Sequence, residues 1–289
     1  MEDKESITIR KAVINQAINY IFEHIDEDIT VEDVAKYCSY SKYHLMRMFK
    51  EDMDEALYQF IKRVRLERSA WRLKVEKERS ITEIGETYGY SSSNFATALK
   101  KHLDISPADY RRSSEQMVED SSFSHGMTLD DLDDAGSKIT VEYLAPFTVL
   151  YERKKGNYHN LPDEWCDFIE KYKYFSTEDT LYIECTIDDP SITDENCCMY
   201  ELCQTVMPDD QKLKEHPEVL LHDFEGGKYA VYHFKGVPQL LFMVYQEIFC
   251  RWLSRTGNEL DERPIIDIYR KVEKSGYMEI DICFPLKTK

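Results

Sequence analysis

One helix face in this chain carries side chains suited to reading a nucleic acid. Tyr43, Met46, Arg47 and Lys50 follow helical spacing, with Lys42 beside them, while Leu45, Met48 and Phe49 take the opposite face. An arginine fork can make two hydrogen bonds to a guanine edge, and lysine and tyrosine reach phosphates and bases across a major groove. Alone, such a face is more often a solvated charged surface. Here it recurs. Ile29–Asp54 aligns without a gap with Arg79–Asp104 at an offset of 50 positions, placing Val34 on Ile84, Ala35 on Gly85, Tyr40 on Tyr90 and Phe49 on Leu99. The outward set of the second copy, Ser91, Ser92, Ser93, Asn94, Thr97 and Lys100, contains no fork to match Arg47. The first copy is therefore expected to supply most base readout, and the second mainly phosphate contacts.

A second set of residues suits a cation. Period-two alternation predicts strands over Leu181–Asp188 and Pro264–Arg270, with Tyr182 and Glu184 on one face of the first and Asp267 and Tyr269 on one face of the second. With Tyr151, Trp165 and Asp281 these form a candidate ligand set of rings and carboxylates. Rings supply dispersion and cation–π attraction, and a buried carboxylate gains from a neutralising ligand. The competing reading is ordinary strand tyrosines and solvated acids on an exposed sheet face. Ile183, Cys185, Ile266 and Ile268 are expected to face helices, and the carboxylates the other side.

The elements that must hold these residues are legible. Thr30-x-x-Asp33 and Ser80-x-x-Glu83 are helix-start signals, and Ser41 and Ser91 can cap the second helix of each unit. Between the units, Leu57–Lys77 has the pattern of a long helix. Phe60, Ile61, Val64, Ala70, Trp71 and Leu73 can face the units, with Lys62, Arg63, Arg65, Arg68 and Arg72 expected in water. An opening helix spans Thr8–Ile25, and Ser106-Pro107 starts another at the end of the region. Downstream, Val149–Gly156 matches Tyr229–Gly236 at an offset of 80. Each match is followed by an apolar-periodic helix, with Trp165, Phe168, Ile169 and Tyr172 in one and Tyr245, Ile248, Phe249 and Trp252 in the other, and then by two strands. The predicted fold class is an N-terminal all-α domain of two helix-turn-helix units joined by a long helix, followed by a duplicated β-β-α-β-β domain.

Two resemblances follow from these motifs. YIFEHI, LMRMFK, the run Arg65–Ala70, ITEIGETYGY and ISPADYR occur in order and resemble the AraC/XylS-type DNA-binding domain over roughly residues 8–112. That family usually carries an arginine where Thr97 stands. VEYLAPFTV at 141, LPDEW at 161, DDP at 188, GGKYAV at 226 and DERPIIDIY at 261 resemble the GyrI-like effector-binding domain. The resemblance implies a duplicated fold with a ligand cleft between its halves, and ligands that are often cationic or amphipathic. The family's usual central glutamate falls on Asp267, and Glu184 stands where a small residue is common. Expected domains are 1–112 for DNA, 113–137 as an acidic linker and 138–289 for an effector. Together they imply a non-enzymatic transcription regulator that binds double-stranded DNA and a small molecule, with RNA polymerase as a further partner. The alternatives for the C-terminal domain are a cofactor-free hydrolase and a protein-binding module.

Charge agrees with this division. Of the 37 basic and 55 acidic residues, 19 and 20 lie in 1–112, so nearly all of the net charge of −18 lies beyond it. Phosphate repels the acidic part, whereas residues 41–112 gather 15 of the basic side chains. Eight scattered cysteines without a CxxC pair predict no metal site and suit small buried residues in a reducing cytoplasm; adjacent Cys197-Cys198 is the pair to test for redox behaviour. No cofactor is expected, and no apolar run is long enough to span a bilayer.

Overall fold

A computed structural model describes residues 4–113, 139–241, 244–245, 248, 252–261, 263–273 and 276–288. The expected linker lies outside the described residues except for Ser113, as do Phe249 and Cys250. The chain divides into two compact units, Met1–Arg111 and Arg112–Lys289.

The first unit is helical. Helix α1 (Lys4–Glu23) buries Ile14, Ala17, Ile18 and Ile21 at helical spacing. Then come α2 (Val31–Tyr37), α3 (Lys42–Met53), α4 (Leu57–Val75), α5 (Ile81–Thr87) and α6 (Ser92–Leu103). Thr30 and Ser80 both form complete capping boxes, with Asp33 and Glu83 returning to the cap nitrogens at 2.9 and 2.8 Å. Both turns close alike: Tyr40 N donates to Ala35 O and Tyr90 N to Gly85 O, each at 2.9 Å. The turn needs a left-handed residue, which is Ser39 (φ 59°) in one copy and Gly89 (φ 76°) in the other. Gly85 has a packing reason as well, since a Cβ there would lie 2.9 Å from the Phe95 ring.

Helix α4 buries Phe60, Ile61, Val64, Leu66, Ala70 and Leu73 and contacts both α3 and α5–α6. Arg72, expected in water, is instead 5 % exposed. Its guanidinium donates to Glu76 Oε1 at 2.8 Å and to the Tyr88 hydroxyl at 3.4 Å, so it is buried with partners. A helix wrapped on several sides by both copies has too little wet surface for every arginine of its pattern.

The second unit is one eight-stranded antiparallel sheet: β1 (Ile139–Leu144), β2 (Phe147–Lys155), β3 (Tyr182–Thr186), β4 (Met199–Val206), β5 (Leu220–Phe224), β6 (Gly227–Gly236), β7 (Ile265–Val272) and β8 (Met278–Pro285). The strand order is β1-β6-β8-β7-β3-β4-β2-β5. Helix α7 (Leu161–Tyr172) lies between β2 and β3 in sequence, and further helical residues lie between Pro238 and Thr256.

This order forces curvature. β1 is an edge strand and β2 lies near the far edge, yet only Ala145 and Pro146 join them. In a flat sheet the six intervening steps, at about 4.8 Å each, would separate them by nearly 29 Å. Two linking residues span about 10 Å. The same holds for β5 and β6, joined by Glu225 and Gly226. The sheet therefore curls until its two tight turns meet: a Cβ on Gly226 would lie 2.5 Å from Leu144 O and 2.6 Å from Pro146 N. Tight closure gives the sheet an inner face that needs no helix to cover it.

That inner face holds Val149, Tyr151, Ile183, Cys185, Cys203, Phe224, Tyr229, Val231, Ile266, Ile268 and Cys283, all at most 4 % exposed. The outer face carries α7, whose Phe168 and Tyr172 pack on Leu150, Tyr200 and Leu202. Each fully buried large apolar side chain stabilises by about 1.5–3 kcal/mol, so both faces contribute to the core.

Candidate functional site

In the first unit, α3 buries Leu45, Met48, Phe49 and Met53 and turns its other side to solvent. Tyr43, Arg47 and Lys50 are exposed there, Tyr43 at 83 %, and Met46 is half-buried. Lys42 is held differently: its ammonium forms an ion pair with Glu32 on α2, which clamps the start of α3 to the helix before it. On α6, Ser92, Ser93, Asn94, Thr97 and Lys100 are all exposed. Two of its hydroxyls are committed to the helix itself. Ser91 Oγ accepts from Asn94 N at 3.4 Å, and Thr97 Oγ1 donates to Ser93 O at 2.9 Å. The two outward faces are thus chemically unequal on near-identical scaffolds.

In the second unit the centre of the sheet is the β3–β7 pair, where Glu184 stands opposite Asp267 and Tyr182 opposite Tyr269. Glu184 also pairs with Leu202 on β4, and Leu202 packs under α7. The two carboxylates therefore lie on the outer, helix-bearing face, opposite to the side expected from alternation. Ile183, Cys185, Ile266 and Ile268 line the interior of the curl. Alternation separates two sets of side chains but cannot say which set a helix covers, and here the curl supplies a second dry face.

Both carboxylates are at most 4 % exposed. The Tyr269 hydroxyl donates to Glu184 Oε2 at 2.7 Å, and the Tyr245 hydroxyl lies 2.7 Å from both oxygens of Asp267. Burial pushes the Glu184 carboxyl up to about 7, with the Tyr269 hydrogen bond opposing. Burial, then the neighbouring Glu184 charge, holds Asp267 well above the usual carboxylate range. Tyr245 and Tyr269 are also pushed well up, by burial first, and so stay protonated as donors. Half-buried rings stand over the pair: Trp165 lies edge-on to Tyr269 at 5.2 Å and to Tyr182 at 6.1 Å between centroids. Its indole nitrogen is buried without a well-formed hydrogen bond, yet it is near enough to the Tyr269 hydroxyl to lower that group's pKa.

Five of the expected ligand residues, Trp165, Tyr182, Glu184, Asp267 and Tyr269, thus come together. Two do not. Tyr151 is buried inside the curl, its ring 6.2 Å from His222 and its strand paired at Cys203. Asp281 shares the inner-face alternation of Cys283, and its carboxylate is held by His233 Nδ1 at 2.6 Å and Arg270 Nε at 2.7 Å. Tyr245 is the residue that sequence reasoning left out of the set. The offset of 80 that places it on Trp165 was the available signal.

Among the described residues no cluster of His, Cys, Asp and Glu could hold a metal ion. Cys198 is buried and Cys197 half-buried, and Cys38 is pushed up to about 11 by burial. Among the described residues no helix is long and apolar enough to cross a membrane.

Comparison with known proteins bears on both units. The model of a GyrI-like small molecule binding domain matches residues 137–287, just over half of the chain, and that of a helix-turn-helix domain matches 34–113. The chain belongs to the GyrI-like family. Its helix-turn-helix part is of the AraC type. It is 36 % identical over 100 residues to the regulatory protein SoxS of Escherichia coli, covering 34 % of this chain and 92 % of that protein. It is 36 % identical over 104 residues to the transcriptional regulator Rob of Salmonella typhimurium, covering 36 % of each. The chain thus spans about a third of Rob and nearly all of SoxS. Among solved structures, the EcmrR C-terminal domain matches 52 % of this chain and 98 % of its own at 13 % identity, with a TM-score of 0.44. This GyrI-like chain is accordingly a DNA-binding regulator by family, with a small-molecule binding domain attached.

Proposed function

We propose that the chain is a one-component transcription regulator in which the helical unit docks on double-stranded DNA and the sheet domain takes up an organic cation. The observation that carries the ligand reading is the Glu184–Asp267 pair: two buried carboxylates side by side, roofed by half-buried rings. Among the described residues that face the pair none is a lysine, arginine or histidine, so a positive ligand gains what solvent no longer supplies. The strand order supports a duplicated β-β-α-β-β layout. It is unchanged when β1–β4 are exchanged for β5–β8 and the list is reversed, and in a layout of two such halves the pair would sit at their pseudo-symmetry axis. The likeness to transcription regulators supports a non-enzymatic role, and ligand uptake would bias DNA affinity or contact with RNA polymerase.

On DNA, Tyr43, Met46, Arg47 and Lys50 are assigned base and nearby phosphate contacts. Lys42 reaches phosphate only by leaving Glu32. Ser92, Ser93, Asn94, Thr97 and Lys100 add mainly backbone contacts, with Ser91 serving as cap. Arg47→Ala is expected to cost about 1–3 kcal/mol on the specific site, and Thr97→Ala far less. A mobility-shift titration checks this, and equal losses for the two would refute the unequal-heads assignment. For the ligand, thermal-shift screening of aromatic amines is expected to find stabilisers whose effect vanishes in Glu184→Gln/Asp267→Asn. Undiminished stabilisation in that double variant would refute the site.

A further inference from the structure

Resting on the cation reading above, the geometry of the pair narrows the ligand further. Glu184 and Asp267 are cross-strand neighbours, which places their Cβ atoms about 5 Å apart. The groups facing them are few and of known sign. β3 and β7 offer Tyr182, Thr186 and Tyr269; β4 offers Tyr200, Leu202 and Gln204; β8 offers Ile282. The segment before α7 offers Tyr158, α7 offers Trp165 and Glu164, and the second helical segment offers Tyr245. Glu164 is tied to the Tyr200 hydroxyl at 2.9 Å. No lysine, arginine or histidine is among these described neighbours.

Two carboxylates this close, both out of water and without a cation, cannot both stay ionised. The free protein relieves the repulsion by keeping one proton on the pair. We propose that the pair selects organic dications whose two ammonium groups are about three carbons apart, the second positive charge replacing the proton that the pair otherwise keeps. The exchange balances. A monocation enters against one negative charge and leaves the proton in place. A dication enters against two, and the displaced proton passes to solvent, so both complexes are neutral overall. The half-buried rings of Trp165, Tyr182 and Tyr269 favour an aromatic group on the ligand.

The test compares N-benzyl-1,3-propanediamine with N-benzylpropylamine, which shares its skeleton but has a single amine. Calorimetric titration of the full chain in phosphate and in Tris, whose ionisation enthalpies differ widely, counts the protons released. The expected result is close to one proton per bound diamine and none per monoamine. The diamine's advantage should exceed about tenfold at pH 8 and shrink towards parity at pH 6, since one pK unit is a tenfold change in affinity. Glu184→Gln, whose amide oxygen can still accept from Tyr269, should remove both the proton release and the advantage. Infrared spectra of the ligand-free protein at pH 7 should show a protonated carboxyl band that Glu184→Gln abolishes or shifts. Both amines binding with equal proton counts, or no protonated carboxyl in the free protein, would overturn this inference and leave the cation reading standing. If neither amine binds, the cation reading fails and takes this inference with it.

Discussion

Two buried acid clusters in this chain have opposite surroundings. In the helical unit, Glu67 on α4 is 5 % exposed. Arg63 Nη1 donates to it at 2.8 Å while also bridging to Glu55 at 3.0 Å, and His102 on α6 lies 3.3 Å from its other oxygen. In the sheet domain, Glu184 and Asp267 are equally buried, but each has a tyrosine and the other acid for company. A buried charge beside cations joins elements together. A buried charge beside another acid stores unfavourable electrostatics that a ligand can release. The first cluster ties the joining helix to the second copy of the repeat and to the turn that follows the first, and the second is left under strain at the centre of the sheet.

The sharpest way to break this comparison is Glu67→Ala. It takes a buried carboxylate away from both Arg63 and His102 and should cost about 3 kcal/mol, read as a lower urea midpoint for the helical unit. The reverse is expected of Glu184→Gln. Its folded pKa, about 7 against an ordinary 4.5, means the folded state binds the extra proton. That stabilisation is complete below about pH 4.5 and is lost as pH rises through about 7. Wild-type stability of the sheet domain should therefore fall relative to Glu184→Gln across that range, by about 3 kcal/mol in total, as seen in parallel thermal melts across pH. A variant that loses stability equally at all pH values would place Glu184 with Glu67 as a structural acid. The smallest effect is expected at the rim of the first cluster: His102→Asn should cost about 0.5–1 kcal/mol, since that side chain is a quarter exposed.

Local signals were the most legible. The repeat, the capping boxes and the outward set on α3 could be read from residue types, because capping and helical spacing act over three or four positions. What failed depended on distant parts of the chain. Arg72 looks like a wet arginine until α4 is known to be enclosed and Tyr88 to lie above it. Tyr151 and Asp281 alternate as the ligand set would, but lie on strands whose inner face is closed by the curl. The curl itself follows from strand order, and no local pattern records that β1 pairs with β6. The same gap reversed the faces of β3 and β7. The apolar positions were found correctly, and what covered them was another part of the sheet.

The position of β1 has a consequence for synthesis. Among the described residues β1 pairs only with β6, in the register Ile139↔Tyr232 to Leu144↔Gly227. While the ribosome makes residues 145–226, β1 has no neighbour to zip onto, although β2, β3 and β4 can already associate. The edge of β2 likewise waits for β5. An incomplete chain therefore carries open strand edges and a half-closed apolar trough, the features that recruit other nascent chains. Truncation before β6 should yield an aggregating fragment rather than a smaller folded sheet, so the sheet domain matures late and nearly all at once.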